Sequence, residues 1–132
     1  MFLREVALHF EIVVFTASLG LYARPLLKRL VPSNDVIDFI LFREHCTSVS
    51  NTDGNNLLVK DLGCLGRDLK DVIIVDNSPA AYLYHPENAL PSISWYSDKN
   101  DVELMQFIPV LKKMAYMQED VRDVLTNFVE DN

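Results

Sequence analysis

Two apolar runs in this chain end on side chains that can do chemistry. "IVVFTAS" closes on the hydroxyls of Thr16 and Ser18, and "VIIVDNS" closes on the carboxylate of Asp76 and the carboxamide of Asn77. Lys60, in "LVKDL", lies between them in the sequence. Hydroxyls and an ammonium donate to phosphate oxygens, and carboxylate or carboxamide oxygens are hard ligands suited to Mg²⁺. Brought to one sheet edge, these groups would suit a phosphoryl group and its metal. The same residues have a plainer account, in which Thr16 bonds its own backbone, Lys60 is solvated, and the Asp76–Asn77 pair opens a turn. Residue types and spacing alone leave both accounts open.

The elements that must position these groups are readable from periodicity. Val72 to Val75 are four β-branched residues in a row, which predicts a short strand buried on both faces, and Pro79 forbids its continuation. "EIVVFT" predicts another buried strand, and "FILFRE" is a third apolar run. Phe2, Val6 and Phe10 recur at helical spacing, predicting an amphipathic helix close to the first residue. "LGLYARPLLKRLVP" predicts a helix whose second part opens at Pro25, turns Leu26, Leu27 and Leu30 inward, and stops at Pro32. "SNTDGNN" is a cluster of turn formers, expected as an exposed loop or hairpin tip. "ALPSISWY" predicts a short extended piece. Asn100 and Glu103 resemble a capping box opening a helix with Leu104, Phe107 and Leu111 inward, divided at Pro109. Val121, Leu125 and Phe128 mark a terminal amphipathic helix. Strands alternating with helices imply an α/β layered fold with a mostly parallel sheet, and in such sheets a ligand lies beyond the carboxyl ends of the strands.

Composition narrows the class of function. With 132 residues, of which 49% are hydrophobic, the chain holds one domain with a real core. Its net charge of −7, with the 12 Lys and Arg scattered, argues against a nucleic-acid surface. No apolar stretch approaches a membrane span, and Arg4, Glu5 and Glu11 interrupt any signal-like start. Cys46 and Cys64 have no zinc-ligand spacing and are expected as small buried thiols in a reducing compartment.

The blocks "FTASLGLYARPLL", "LFREHC", "VKDLGCLGRDL", "IVDNSPAAYLYHPENALPSISWY" and "DKNDVELMQFIPVLKKM", in this order, resemble the carboxy-terminal-domain small phosphatases. These are a branch of the haloacid dehalogenase superfamily. The resemblance covers nearly the whole chain and implies a Rossmannoid three-layer α/β sandwich with a mostly parallel sheet. It implies Mg²⁺-dependent removal of phosphate from Ser or Thr of phosphoproteins, RNA polymerase tails being the best-known substrates, through an aspartyl-phosphate. Carried over, Thr16 would hydrogen-bond a phosphoryl oxygen and Lys60 would neutralise charge on nucleophile and phosphate. Asn77 would give the metal an oxygen, and Asp76 would hold Lys60 and the metal's water shell. Arg43, in "FRE", would face the substrate peptide, or else form a surface salt bridge with Glu44 or Asp38.

The departure from the family is large. A DxDxT or DxDxV motif supplies the nucleophile in these enzymes, and no DxD occurs here; Asp35 with Asp38 and Asp98 with Asp101 have the wrong spacing. The resemblance places that motif on a central strand before the helix equivalent to "FLREVALHF". Residues 1–132 are therefore expected to be one partial domain lacking its first strand, with a gap of ~9 to 10 Å between inner edges. Alone it should be inactive, because positioning cannot replace the attacking atom, and should hold Mg²⁺ weakly. The competing reading is a binding or regulatory module, like the similar domain of a mitochondrial import receptor. Nucleus or cytoplasm is the expected compartment, with the mitochondrion as the alternative.

Overall fold

In the computed structural model, the structure describes residues 2–30, 34–92 and 99–131. Ten helices and strands follow one another along those residues: α1 (Phe2–Ala7), β1 (Val13–Phe15), α2 (Gly20–Leu30), β2 (Phe39–Leu41), β3 (Thr47–Ser50), β4 (Asn56–Val59), β5 (Ile74–Asp76), β6 (Ala89–Pro91), α3 (Lys99–Met117) and α4 (Val121–Asp131). The class is α/β, and its parallel strands come in pairs. β1 and β2 are parallel, with Val14 opposite Ile40, and β5 and β6 are parallel, with Val75 opposite Leu90. β3 and β4 form an antiparallel hairpin over the predicted tip, where Gly54 takes φ +80°, a left-handed conformation that glycine adopts without steric cost. Among the described residues the strands form three two-stranded sheets, β1-β2, β3-β4 and β5-β6.

The core lies at the helical end. Leu104, Phe107, Leu111 and Met114 form one buried stripe of α3 at helical spacing, and Val121 and Leu125 of α4 meet it. Phe107 and Phe128 cross edge to face at 6.4 Å. Val6 of α1, Ile12 and Leu90 of β6 complete the cluster. A second, smaller cluster joins Leu62, Ile74 and Ala89 under β5. Between the two, Asn88 is fully buried; its Nδ2 donates to the carbonyl oxygens of Leu69 at 2.7 Å and Val72 at 2.8 Å. That side chain fixes the approach to β5 from the residue that leads into β6. Among the described residues no helix is long and apolar enough to cross a membrane.

Several expectations are corrected. α2 runs unbroken through Pro25, and its buried residue is Ala23, whereas Leu26 is 55% exposed. A pair of three-residue strands offers too little surface to cover a wider helical face. α3 likewise continues through Pro109, which faces solvent, so that water can satisfy the Met105 carbonyl that loses its amide partner. The thiols are not buried: Cys46 is half-buried and Cys64 exposed. In the 3-10 turn Leu62–Cys64 it is Leu62 that packs inward, while the Cys64 thiol donates to Asp61 Oδ2 at 3.4 Å and is pushed up by that hydrogen bond. The stop expected at Pro32 and most of "SISWY" lie outside the described residues, as do the side chains of Asn100 and Glu103.

The start of α4 carries a pH-dependent contact. The Arg122 guanidinium donates to both oxygens of Asp120, and its backbone N–H donates to Oδ1, which together hold the Asp120 carboxyl down at about 2 from an ordinary 3.8. A carboxyl depressed on folding stabilises the folded state above its unfolded value and loses that contribution as pH falls through the folded one. Urea titrations of the wild type and Asp120→Asn should therefore differ above about pH 4 and converge toward pH 2. A difference independent of pH would exclude the ion pair as its source.

Candidate functional site

Each strand that carries chemistry stops at, or one residue before, the residue that bears it. β1 ends at Phe15, and the Thr16 N–H still donates to the Leu41 carbonyl of the neighbouring strand at 3.0 Å, which fixes the residue at the sheet edge. Thr16 Oγ1 accepts the Ser18 N–H at 3.1 Å in a local turn, so the hydroxyl proton remains available to a ligand. The plainer account of Thr16 and its use as a donor are thus compatible in one geometry.

Lys60 follows β4 directly, and its backbone N–H donates to the Ala81 carbonyl at 2.9 Å. Its ammonium lies 2.6 Å from Asp76 Oδ2, with Lys60 9% and Asp76 8% exposed. A solvated lysine is therefore excluded. Asp76 is the last residue of β5; its Oδ1 accepts the Ser78 N–H at 2.9 Å, and its carbonyl accepts the Ser92 N–H at 3.0 Å. Asn77 emerges exposed at the next position. The turn reading and the held-carboxylate reading both apply, to successive atoms of one residue.

The Phe15 ring joins the two strand ends. Its centroid lies 5.7 Å from Lys60 Nζ, so the ammonium is faced by a carboxylate and by a π surface. Among the described residues no hydrogen bond links Thr16 to Lys60, Asp76 or Asn77. The sequence reading missed Phe15, although its place between the strand and the threonine was the available signal.

Arg43 belongs to the other side of the Thr16 turn. It lies in a 3-10 turn after β2; its backbone N–H donates to the Ser18 carbonyl at 3.1 Å and its Nε to the Ala17 carbonyl at 2.7 Å. It pairs with neither suggested acid, and Asp38 accepts the Ile12 N–H at 2.7 Å instead. Arg43 is thereby fastened to the turn that carries Thr16, and the residue is exposed.

The donor set does not by itself fit a magnesium ion, which asks for about six oxygens in near-octahedral geometry. Each Asp76 oxygen already accepts a hydrogen bond and the residue is buried, so the oxygen most open to a metal is that of the neutral, exposed Asn77 carboxamide. Among the described residues no group of three or more His, Cys, Asp or Glu is placed to hold a metal. What the arrangement offers is donors for an anion: the Thr16 hydroxyl after β1, the Arg43 side chain on the Thr16 turn, and the Lys60 ammonium 5.7 Å from the Phe15 ring centroid.

The family described as NLI interacting factor-like phosphatase matches residues 1–122. The chain belongs to that family. Among relatives of this phosphatase family, the chain is 56% identical over 124 residues to "Probable C-terminal domain small phosphatase" of Dictyostelium discoideum, covering 94% of this chain and 38% of that protein. It is 46% identical over 114 residues to "Carboxy-terminal domain RNA polymerase II polypeptide A small phosphatase 2" of Mus musculus, covering 86% and 40% respectively. It is 46% identical over 124 residues to "CTD small phosphatase-like protein" of Homo sapiens, covering 94% and 42%. The chain spans about two fifths of the length of these curated relatives.

Proposed function

We propose that these 132 residues are the phosphate-holding part of a Mg²⁺-dependent protein Ser/Thr phosphatase domain that works through an aspartyl-phosphate. The observation that carries the reading is the buried 2.6 Å pair of Lys60 and Asp76 at the mouth of the strands. Packed apolar residues of similar volume often stabilise a fold as well as a buried ion pair does, so such a pair at strand ends is better explained by use than by structure. Thr16 and Lys60 hold phosphoryl oxygens and their charge, Asp76 orients Lys60, and Arg43 faces the peptide around the phosphorylated residue. Asn77 would give one oxygen to a metal whose remaining ligands come from outside these residues.

The attacking carboxylate is not among these residues, since no DxD occurs in the sequence. In this reading it stands on a strand outside the sequence, between β1 and β5, which completes the haloacid-dehalogenase-like sandwich and brings the acidic metal ligands. The substrate is a phosphoprotein, a polymerase tail being one instance, and the compartment is nuclear or cytoplasmic. The missing motif also favours a second reading, a docking or regulatory module without catalysis.

Intact mass and activity of the endogenous protein separate the two readings. Capture with an antibody to the helix 101–116 should yield a species heavier than 15.1 kDa, with peptides containing DxDxT or DxDxV and Mg²⁺-dependent release of phosphate from a phosphoserine peptide. A species of 15.1 kDa that releases none would overturn catalysis and leave the module.

A further inference from the structure

Arg24 has no part in the site as described so far. It lies on the first turns of α2, exposed, with its guanidinium carbon 4.6 Å from the centroid of the Phe42 ring. Phe42 is 3% exposed, so the arginine lies over a buried ring while Arg24 itself stays exposed. Gly20 lies close beside it: a Cβ there would meet Arg24 Nε at 3.4 Å and the ring at 3.7 Å, ordinary contact distances. The cation is held in place before any ligand arrives, which lowers the entropy lost on binding.

Its neighbours fix where it stands. Phe42 directly follows Leu41, whose carbonyl accepts the Thr16 N–H, and Arg43 directly follows Phe42 with Nε on the Ala17 carbonyl. Both guanidinium groups are thus tied to the strand end that pairs with Thr16, along a contact path on the order of 10 to 20 Å. Neither is a partner in the ion pairs described, in a chain whose net charge is −7. Such an acidic surface repels anionic peptides wherever local cations do not oppose it. An extended peptide advances ~3.3 Å per residue, so a group one to three positions from a phosphoryl at Thr16 reaches Arg24.

We propose that Arg24, with Arg43, forms a second anion subsite beside the phosphoryl position, selecting peptides that carry a negative group close to the phosphorylated Ser or Thr. The subsite rests on the phosphatase reading and names its substrate class: phosphopeptides with a flanking carboxylate or a second phosphate.

Binding to the full 132-residue chain at low salt tests it, using four short peptides measured by fluorescence anisotropy. One carries a single phosphoserine among neutral residues, one adds a glutamate two positions away, one adds a second phosphoserine there, and one has the glutamate without phosphate. The flanking charge should tighten binding roughly three- to five-fold, the size of an exposed charged contact, and the gain should shrink at high salt. Arg24→Gln should remove the gain, Arg24→Lys should keep part of it, and circular dichroism should show both variants folded. A gain with phosphate but none with glutamate assigns the subsite to a second phosphate; a gain with either assigns it to both. Equal binding of all three phosphopeptides, or a gain that survives in Arg24→Gln, overturns the subsite and leaves the phosphatase reading standing. Failure of the singly phosphorylated peptide to bind better than the unphosphorylated one overturns both.

Discussion

Lys60→Met should lower the stability of the chain by about 3–5 kcal/mol, the cost of leaving a buried carboxylate without its counter-ion. Asp76 is 8% exposed and sits at the end of a strand packed on Leu62 and Ala89, so water does not readily replace the ammonium. The remaining partner, the Ser78 N–H, satisfies one carboxylate oxygen alone. Methionine keeps the length of the lysine stem and its place beside Phe15, so the loss isolates the charge. The double variant Lys60→Met with Asp76→Leu should recover most of it, because apolar residues of similar volume substitute well for a buried pair. Urea unfolding of the wild type, Lys60→Met, Asp76→Leu and the double variant near neutral pH gives the coupling directly. Phosphate should bind measurably to the wild type and to neither variant with methionine at position 60. A single-variant loss under about 1 kcal/mol would show that the pair is solvated, as surface pairs are.

Leu125→Ala should cost about 2–5 kcal/mol by the transfer of the lost methylenes and the cavity they leave. Leu125 is 1% exposed at the junction of α4 with α3, within the cluster that also holds Leu90 of β6. Its neighbours stand on several different elements, and so cannot collapse together into the space. Val129, one turn farther along α4 and 44% exposed, supplies the control: Val129→Ala should change stability by no more than about 0.5 kcal/mol. Equal effects at the two positions, read from urea midpoints, would mean that α4 is not docked as described.

The parts of the molecule that were legible in the sequence are those decided locally. The Val72 run, the "SNTDGNN" tip and the Val121 helix each follow from periodicity or turn chemistry within a few residues, and each appears near its expected bounds. The exposed side of α2 was not legible, because Leu21, Tyr22 and Leu26 have the right spacing for burial and lack a surface to be buried against. Pro25 and Pro109 read as breaks because the rule for proline concerns the lost amide, and whether solvent can compensate depends on which face the residue occupies. At the site, the strand ends predicted where Thr16, Asp76 and Asn77 would stand. The 2.6 Å contact of Lys60 with Asp76, the Phe15 ring beside them and the Arg24 stack on Phe42 are long-range pairings that spacing does not encode.

The division of the strands into three separate pairs has a consequence for how the site holds its shape. A two-stranded sheet is marginal by itself in water, and here the donors follow separate pairs, Thr16 and Arg43 at the ends of one and Lys60 at the end of another. An anion gripped from both sides at once would act as a mortar between them, raising stability by RT ln(1 + [L]/Kd). The order of the site would then vary with the concentration of its own ligand, and phosphate in the buffer would count among the components of the fold.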